Sequence, residues 1–304
     1  KKSSRHIFKN DGERFKFIDS QRSSFPLGKM CWVLEVSTSG YYAWRNRPKS
    51  RRVIDNERLL IEIRRMFLEH NQNYGSPRIY HALHRSGIPC SENRIARLMR
   101  EDNLVAVQRR KFRVTTDSKH NWPVAPNILN RDFVTDAPSR IWLTDITYVW
   151  TWEGWLYLAF VLDLYYRGVI GLSMAARVTD ELTQNALKQA LLRRNPPKGL
   201  IHHSDRGSQY ASGDYQELLK RYDITPSMSR KGDCWDNAVG ESFVHTLKVE
   251  KINRCRFRTR EQAKQEIFEY VEMYYNRKRA HSSLGYMSPF EFEKRLFISL
   301  QIVH

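Results

Sequence analysis

Three β-rich runs crowd into residues 141–175, and they restrict the fold of this chain more than any other feature. Ile141 to Trp150 alternates, Thr151-Trp152-Glu153-Gly154 makes a turn, and Trp155 to Leu164 forms a second run. Tyr166-Arg167-Gly168 turns again, and Val169 to Ala175 completes the meander. Helical spacing follows over 181–194, with Leu182, Ala186-Leu187 and Ala190-Leu191 on one face, Asp180 as a possible cap and Asn195-Pro196-Pro197 as the stop. Leu200 to Ser204 reads as a short buried strand, 212–222 as a helix and 223–227 as a possible strand. Residues 229–235 read as a Gly-containing loop, and Asp233 or Asp236 as the cap of a helix running to about Lys251. Three strands, then helix, strand, helix, strand, helix, give an α/β chain with a mixed sheet.

The region before this core has a different texture. Residues 1–50 read as irregular and basic, with aromatics at Trp32, Tyr41, Tyr42 and Trp44, a turn at Ser39-Gly40 and a linker at Arg47-Pro48-Lys49-Ser50. The pattern Ile54, Leu59-Leu60, Ile63, Met66-Phe67 predicts a helix over 53–69. Pro77 suits the first turn of a helix over 77–86, with Ile79 and Leu83 inward. Ser91 suits the cap of a helix over 92–102, with Ile95 and Leu98-Met99 as its stripe. That pair has helix-turn-helix spacing, and its second helix carries Arg94, Arg97 and Arg100 near one face, as a major-groove helix would. An ordinary three-helix bundle with a charged exterior is the plainer alternative. Residues 107–130 read as a basic linker, or a small wing followed by one. The resulting domains are 1–50, a helix-turn-helix unit over 51–106, a linker over 107–137, a catalytic core over 138–252 and a basic helical extension over 253–304.

Charge narrows the partner. Residues 1–130 hold 26 Lys and Arg against 12 Asp and Glu, a net of +14. Residues 131–250 hold 14 against 15, and 251–304 hold 11 against 6. Two basic flanks around a near-neutral middle mark a polyanion partner, because each cation–phosphate contact releases counterions. No apolar run reaches the length of a membrane span, and no signal peptide opens the chain. Four scattered cysteines without a CxxC fit a reducing cytosol, and His81 with His84 lacks the Cys pair of a zinc site. The chain starts without Met, so the sequence is expected to continue upstream or to have been trimmed.

Three acids stand out by position. Asp145 lies in a hydrophobic strand, where an unpaired carboxylate is costly. Asp205 follows the strand Leu200–Ser204, at the kind of carboxyl end where α/β sheets place their sites. Glu241 lies near the start of a helix. Converging, they would offer hard oxygens to Mg²⁺ or Mn²⁺, and a pair of such ions could drive an in-line phosphoryl displacement. Each also has a plain role: an acid satisfied by a backbone group or Arg, a turn former, and a helix-dipole partner.

The surrounding motifs change that balance. Trp142-Leu143-Thr144-Asp145-Ile146-Thr147-Tyr148, His203-Ser204-Asp205-Arg206-Gly207-Ser208-Gln209-Tyr210, and Trp235-Asp236-Asn237-Ala238 leading into Glu241-Ser242-Phe243 occur in that order. Tyr275-Asn276-Arg277, His281, Leu284 and Ser288-Pro289 close the chain, while Tyr74-Gly75-Ser76-Pro77-Arg78-Ile79 and Arg97-Leu98-Met99 lie upstream. Cys31, Val33-Leu34, Val36-Ser37 and Ser39-Gly40-Tyr41-Tyr42-Ala43-Trp44 complete the set. These resemble DDE transposases of the retroviral-integrase superfamily, and more closely the second-reading-frame product of a large bacterial insertion-sequence family that moves through a circular intermediate. Thirty-five residues separate Asp205 from Glu241, the interval for which that group is named, and the expected basic residue seven positions after the Glu is Lys248.

The resemblance implies a ribonuclease-H-like core, a mixed five-stranded sheet with flanking helices, preceded by an all-α helix-turn-helix domain. It implies that Asp145, Asp205 and Glu241 are the catalytic, metal-binding residues, holding two Mg²⁺ (or Mn²⁺) ions when DNA is bound. Water would cut one strand at the element's end, and the freed 3′-OH would attack a second phosphodiester with no covalent protein–DNA intermediate. Lys248 would meet a phosphate near the cut, with Arg78, Arg94, Arg97, Arg100, His203 and Gln209 as further DNA-contact candidates. His203 and Gln209 could equally hold their loop. Asn237 would shape the helix start, and Trp235 would stack on DNA or pack in the core. The partners implied are double-stranded DNA (terminal inverted repeats and target), further copies on paired ends and the upstream first-frame product. The location implied is the bacterial cytoplasm at the nucleoid. Full-length family members carry a frameshift-fused upstream helix-turn-helix and leucine zipper, whereas this chain has no sustained heptads. A metal-dependent nuclease of the same fold and a DNA-binding regulator of transposition are the rival readings.

Overall fold

The computed structural model describes residues 8–107, 123–230 and 234–302. The chain divides into two compact units, the first ending at Glu62 and the second beginning at Ile63.

The first unit corrects the expectation of an irregular start. It contains α1 (Asp11–Ser20), α2 (Leu27–Val33) and α3 (Thr38–Arg45), followed by the first residues of α4 (Arg51–Glu69). Ile18, Met30, Cys31, Leu34 and Tyr41 bury together, with Phe15 and Trp44 against them. Ser39-Gly40 is therefore no turn but part of α3, where the Ser37 hydroxyl accepts from the Gly40 N–H at 2.9 Å. Short helices of this kind draw their stability from a shared core rather than from propensity.

In the second unit, α5 (Ser76–Arg85) and α6 (Glu92–Glu101) form the expected pair. Pro77 sits in the first turn of α5, and the Ser91 hydroxyl caps α6 by accepting from the Arg94 N–H at 3.3 Å. Ile79, Leu83, Ile95, Leu98 and Met99 are buried. The pair is tied to the C-terminal region. The Tyr74 hydroxyl accepts from the Ala280 N–H at 2.8 Å, the Arg254 guanidinium donates to the Asn71 carbonyl at 2.7 Å, and His81 stacks on Tyr286 at 3.8 Å.

The sheet comprises β1 (Ile141–Thr151), β2 (Gly154–Asp163), β3 (Val169–Ala175), β4 (Ile201–Ser204) and β5 (Thr225–Met228). Its order is β3-β2-β1-β4-β5, with β1–β2 and β2–β3 antiparallel and β1–β4 and β4–β5 parallel. Strand alternation splits its side chains between two apolar layers. Leu143, Val149, Phe160 and Leu162 pack with α10 (Ala238–Glu250), α11 (Arg260–Glu269) and the π-helical turn Tyr270–Tyr275. Trp142, Ala159 and Val161 pack with α7 (Asp180–Arg194), α8 (Ser208–Ala211) and α9 (Gly213–Arg221). Helix α7 lies so close that a Cβ on Gly171 would stand 2.1 Å from the Ala186 carbonyl oxygen. The final helix, α12, spans Pro289–Ile302.

Two expected caps are different. Thr179, not Asp180, is the N-cap of α7, and Asp180 is its first residue. Asp236 does not cap α10; it is fully buried in a cluster of arginines, and Asn237 holds the cap position. Asp233 and residues 108–122 of the expected linker or wing lie outside the described residues. Beyond that stretch the chain is docked, because the Ile128 and Leu129 N–H groups donate to the Ser227 hydroxyl at 3.0 and 3.3 Å. The buried Asp163 is satisfied, accepting from the Ser139 N–H, the Trp142 indole and the Tyr165 N–H at 2.7, 3.1 and 2.9 Å.

Candidate active site

Strand register levels the first two acids. β1 and β4 run parallel with Ile141, Trp142 and Leu143 opposite Ile201, His202 and His203. Two residues beyond the last of these pairs come Asp145 on β1 and Asp205 just past the end of β4, close enough that the Asp205 charge acts on Asp145. Leu143 belongs to the layer that meets α10, and Asp145 shares its face by the two-residue period.

Helix α10 brings the third acid to that face, and Gly240 allows the approach. A Cβ there would lie 2.6 Å from Leu143 Cδ2 and 2.8 Å from Asn237 Oδ1. Glu241 is the next residue, and Lys248 follows about two turns later on the same side. Gly240→Ala is expected to cost about 1–3 kcal/mol by overpacking, since it pushes Asn237 and α10 off β1. An unchanged melting temperature would refute it.

Asp145 and Asp205 are held by short bonds. Asp145 accepts from the Ile146 N–H at 2.7 Å and from the Asn237 amide at 3.1 Å. Asp205 accepts from the Gly207 N–H at 2.9 Å. Burial, then the neighbouring Asp205 and Glu241 carboxylates, push the Asp145 carboxyl well above the usual range, against the Ile146 N–H and Lys248. Burial also raises Glu241. Burial lowers the Lys248 ammonium while Asp145 opposes the shift, and its Nζ stands 4.8 Å from the Tyr148 ring centre. Behind the acids, burial and the charges of Asp145 and Asp205 raise the Tyr210 hydroxyl.

The Asp145 carboxyl, pressed by the charges of Asp205 and Glu241 and opposed by Lys248, lies in a site short of positive charge, and hard oxygens of this kind fit a divalent cation. Among the described residues, no three acid, His or Cys side chains are grouped as metal ligands in this arrangement. The fit therefore rests on donor chemistry and on the charges that act on Asp145.

The other expected contacts scatter. His203 is fully buried, its ring nitrogens 2.9 and 3.2 Å from the Ser227 and Ser229 hydroxyls, and burial lowers its pKa to about 4. It clamps β5 to β4 and offers no surface to DNA. Gln209 is half-buried on α8, four residues beyond Asp205. Arg78 faces inward, 3.8 Å from Glu250 and donating to the Asn73 carbonyl at 3.3 Å. On α6, Arg100 is exposed, Arg94 half-buried and Arg97 paired with Glu101 at 3.2 Å. Trp235 is 68% exposed, which removes core packing as its role.

Sequence reasoning missed two features. Asn237 is a partner of Asp145, and its position four residues before Glu241 was the available signal. Glu250 is enclosed by Arg279, with guanidinium bonds of 2.7 and 3.0 Å, and nothing local signalled that pairing.

Two integrase core domain models match residues 135–234 and 222–289, and an HTH-like domain model matches 55–112. The chain is 47% identical over 266 residues to the insertion element IS600 uncharacterized 31 kDa protein of Shigella sonnei, covering 88% of this chain and 98% of that one. It is 42% identical over 294 residues to transposase InsF for insertion sequence IS3A of Escherichia coli (strain K12), covering 93% and 99%. Among solved structures, the magnesium-bound HTLV-2 integrase catalytic core domain matches at 18% identity and a TM-score of 0.41, covering 51% of this chain and 96% of that one. With its five-stranded sheet in the order of a ribonuclease-H-like core, its HTH-like segment and this identity over nearly its whole length, the chain belongs to the IS3-type family of insertion-sequence DNA transposases.

Proposed function

We propose that this transposase cuts one strand at each end of its element and joins the freed 3′-OH to a second phosphodiester, using Asp145, Asp205 and Glu241. The observation that carries the reading is that Asn237, at the head of the helix bearing Glu241, donates to Asp145 on β1 at 3.1 Å, with the Asp205 and Glu241 charges acting on that buried carboxyl. Divalent metal (magnesium or manganese, two ions once DNA is bound) would be held by these acids and would supply activation of the attacking oxygen and stabilisation of the leaving one. Asn237 orients Asp145, and the Gly207 N–H fixes Asp205. Lys248 places its ammonium beside the acids, where a phosphate near the cut would pass. Arg94, Arg97 and Arg100 give α6 the charge of a groove-facing helix, and Gln209 lies beside the Asp205 loop. Arg78 and His203 we assign instead to holding Glu250 and β5.

The DNA partners proposed are the element's terminal inverted repeats and the target, with further copies of the chain on paired ends and the first-frame product as a fused or separate partner. The cytoplasmic nucleoid is the proposed location. Among the described residues, no helix is long and apolar enough to cross a membrane.

The test is an end-containing duplex with a free 3′-OH, incubated with the chain, target DNA and Mg²⁺ or Mn²⁺. Joined products are expected. Hydrolysis without joining would favour the nuclease reading, and binding without either would favour the regulator.

A further inference from the structure

The tip of the β1–β2 hairpin and the segment after α10 enclose a cleft of about 570 Å³, lined by Tyr148, Trp150, Trp155, Lys248 and Arg256 among others. Its rim is aromatic and open. Trp150, Trp152 and Trp155 are 57, 66 and 42% exposed, an unusual amount of indole surface to leave in water within one hairpin. Trp150 and Trp155 are cross-strand partners with ring centres 4.9 Å apart and planes at 74°. Tyr148 meets Trp155 at 5.1 Å and 87°. These edge contacts steady the rings, while Trp150 and Trp152 stay mostly exposed.

The cleft is also cationic. Lys248 stands over Tyr148, and the Arg258 guanidinium lies 5.6 Å from the Trp152 ring centre. Arg256 is exposed on the wall. The acids nearby are engaged, Glu153 accepting from the Arg260 N–H at 2.8 Å and Glu266 paired with Lys251 at 2.9 Å. Open indole faces interleaved with guanidinium and ammonium groups match a strand whose bases are unstacked and whose phosphates are bare. A duplex hides its base faces, and a protein partner would have to bring acids to meet Lys248, Arg256 and Arg258.

We propose that this cleft binds unpaired nucleotides of a DNA strand, with bases on Trp150 and Trp152 and phosphates on Lys248, Arg256 and Arg258. Lys248 joins the cleft to the acids, because its charge also acts on Asp145. A strand displaced at the cut would run from the acids into the hairpin. This extends the DNA-processing reading above and rests on it for the strand's origin.

The test titrates the full chain, in chelator and without metal, with a short oligothymidylate and with a blunt duplex of equal length, read by fluorescence anisotropy. Trp150→Ala with Trp152→Ala is expected to weaken oligothymidylate binding by about tenfold or more and duplex binding by less than about twofold. Phe at both positions should restore most of the loss. Both rings are largely exposed, so the melting temperature should hold. Unchanged oligothymidylate binding, equal loss on both DNAs, or a shift in oligomeric state on removing the rings would each overturn the proposal. The titration needs no metal, so its failure leaves the reading of the three acids standing. Conversely, an inactive acid variant that still binds oligothymidylate leaves this proposal standing.

Discussion

Asp205→Asn is expected to reduce strand cleavage and strand transfer by about a thousandfold or more while DNA binding stays near that of the parent. The magnitude follows from losing one proposed ligand of a cation pair that contributes several kcal/mol to the transition state, at tenfold per 1.4 kcal/mol. Loss through misfolding would look the same in an activity assay, so stability must be read beside it. Here the two explanations predict opposite signs. Asp205 raises the Asp145 carboxyl by charge repulsion, and removing that charge relieves the metal-free protein. Asn also keeps an oxygen that can accept from the Gly207 N–H, the bond Asp205 now makes at 2.9 Å. The variant should therefore melt at or above the parent temperature while being inactive. Near-parental strand transfer in Mg²⁺ would falsify the assignment of the acids, and a lowered melting temperature would undo the argument from repulsion.

Those acids were individually visible in the sequence, but what brings Asp205 and Glu241 to act on Asp145 was not. Asp145 stood out because β1 alternates among Trp142, Leu143, Ile146 and Tyr148 and tolerates an acid only with a reason. What aligns it with Asp205 is the parallel pairing of β1 with β4, a long-range register that no local pattern encodes. The strands themselves were legible because turn residues bound each run; β3 falls at Val169–Ala175 as expected. The first fifty residues were not. Their helices depend on Ile18, Met30, Cys31, Leu34 and Tyr41 finding one another, which is a tertiary event. Function became legible through ordered motifs rather than through physics, since many triples of acids would satisfy spacing alone. His203 shows the converse hazard: a histidine two residues before a proposed catalytic acid invites a role in chemistry, yet its ring is consumed by two serines.

Asp236, like Asp233, suits a helix cap by its position in the sequence, and the place it takes instead shows where the largest stability effect should lie. Its carboxylate has no exposed surface and accepts from the Arg230 N–H, Nε and Nη2 at 2.9, 2.9 and 2.8 Å, from Arg131 Nε at 3.0 Å and from the Asn127 amide at 2.8 Å. Asn127 and Arg131 lie 109 and 105 residues away, so no window around Asp236 reveals them. Asp236→Ala is expected to cost about 2–4 kcal/mol. A fully enclosed pair would cost more, but Arg131 and Arg230 keep 46 and 48% of their side-chain surface in water and can be rehydrated. Bonds from Arg230, then Arg131, hold this carboxyl well below the usual range, against the opposing effect of burial. A depressed carboxyl contributes stability that is complete above the unfolded value near 4 and is lost as pH falls below it toward the folded value. Urea unfolding from pH 7 down to pH 2 should show that loss in the parent and a shallower one in Asp236→Asn, which cannot ionise. The same residue also bears on the proposed site, because its neighbour Asn237 donates to Asp145 and both sit on the turn that leads into α10. An Asp236→Ala chain with parental stability and an unaltered acid limb would mean that the arginines hold the turn without the carboxylate, and that Asn237 is positioned by the packing of Gly240 against Leu143 alone.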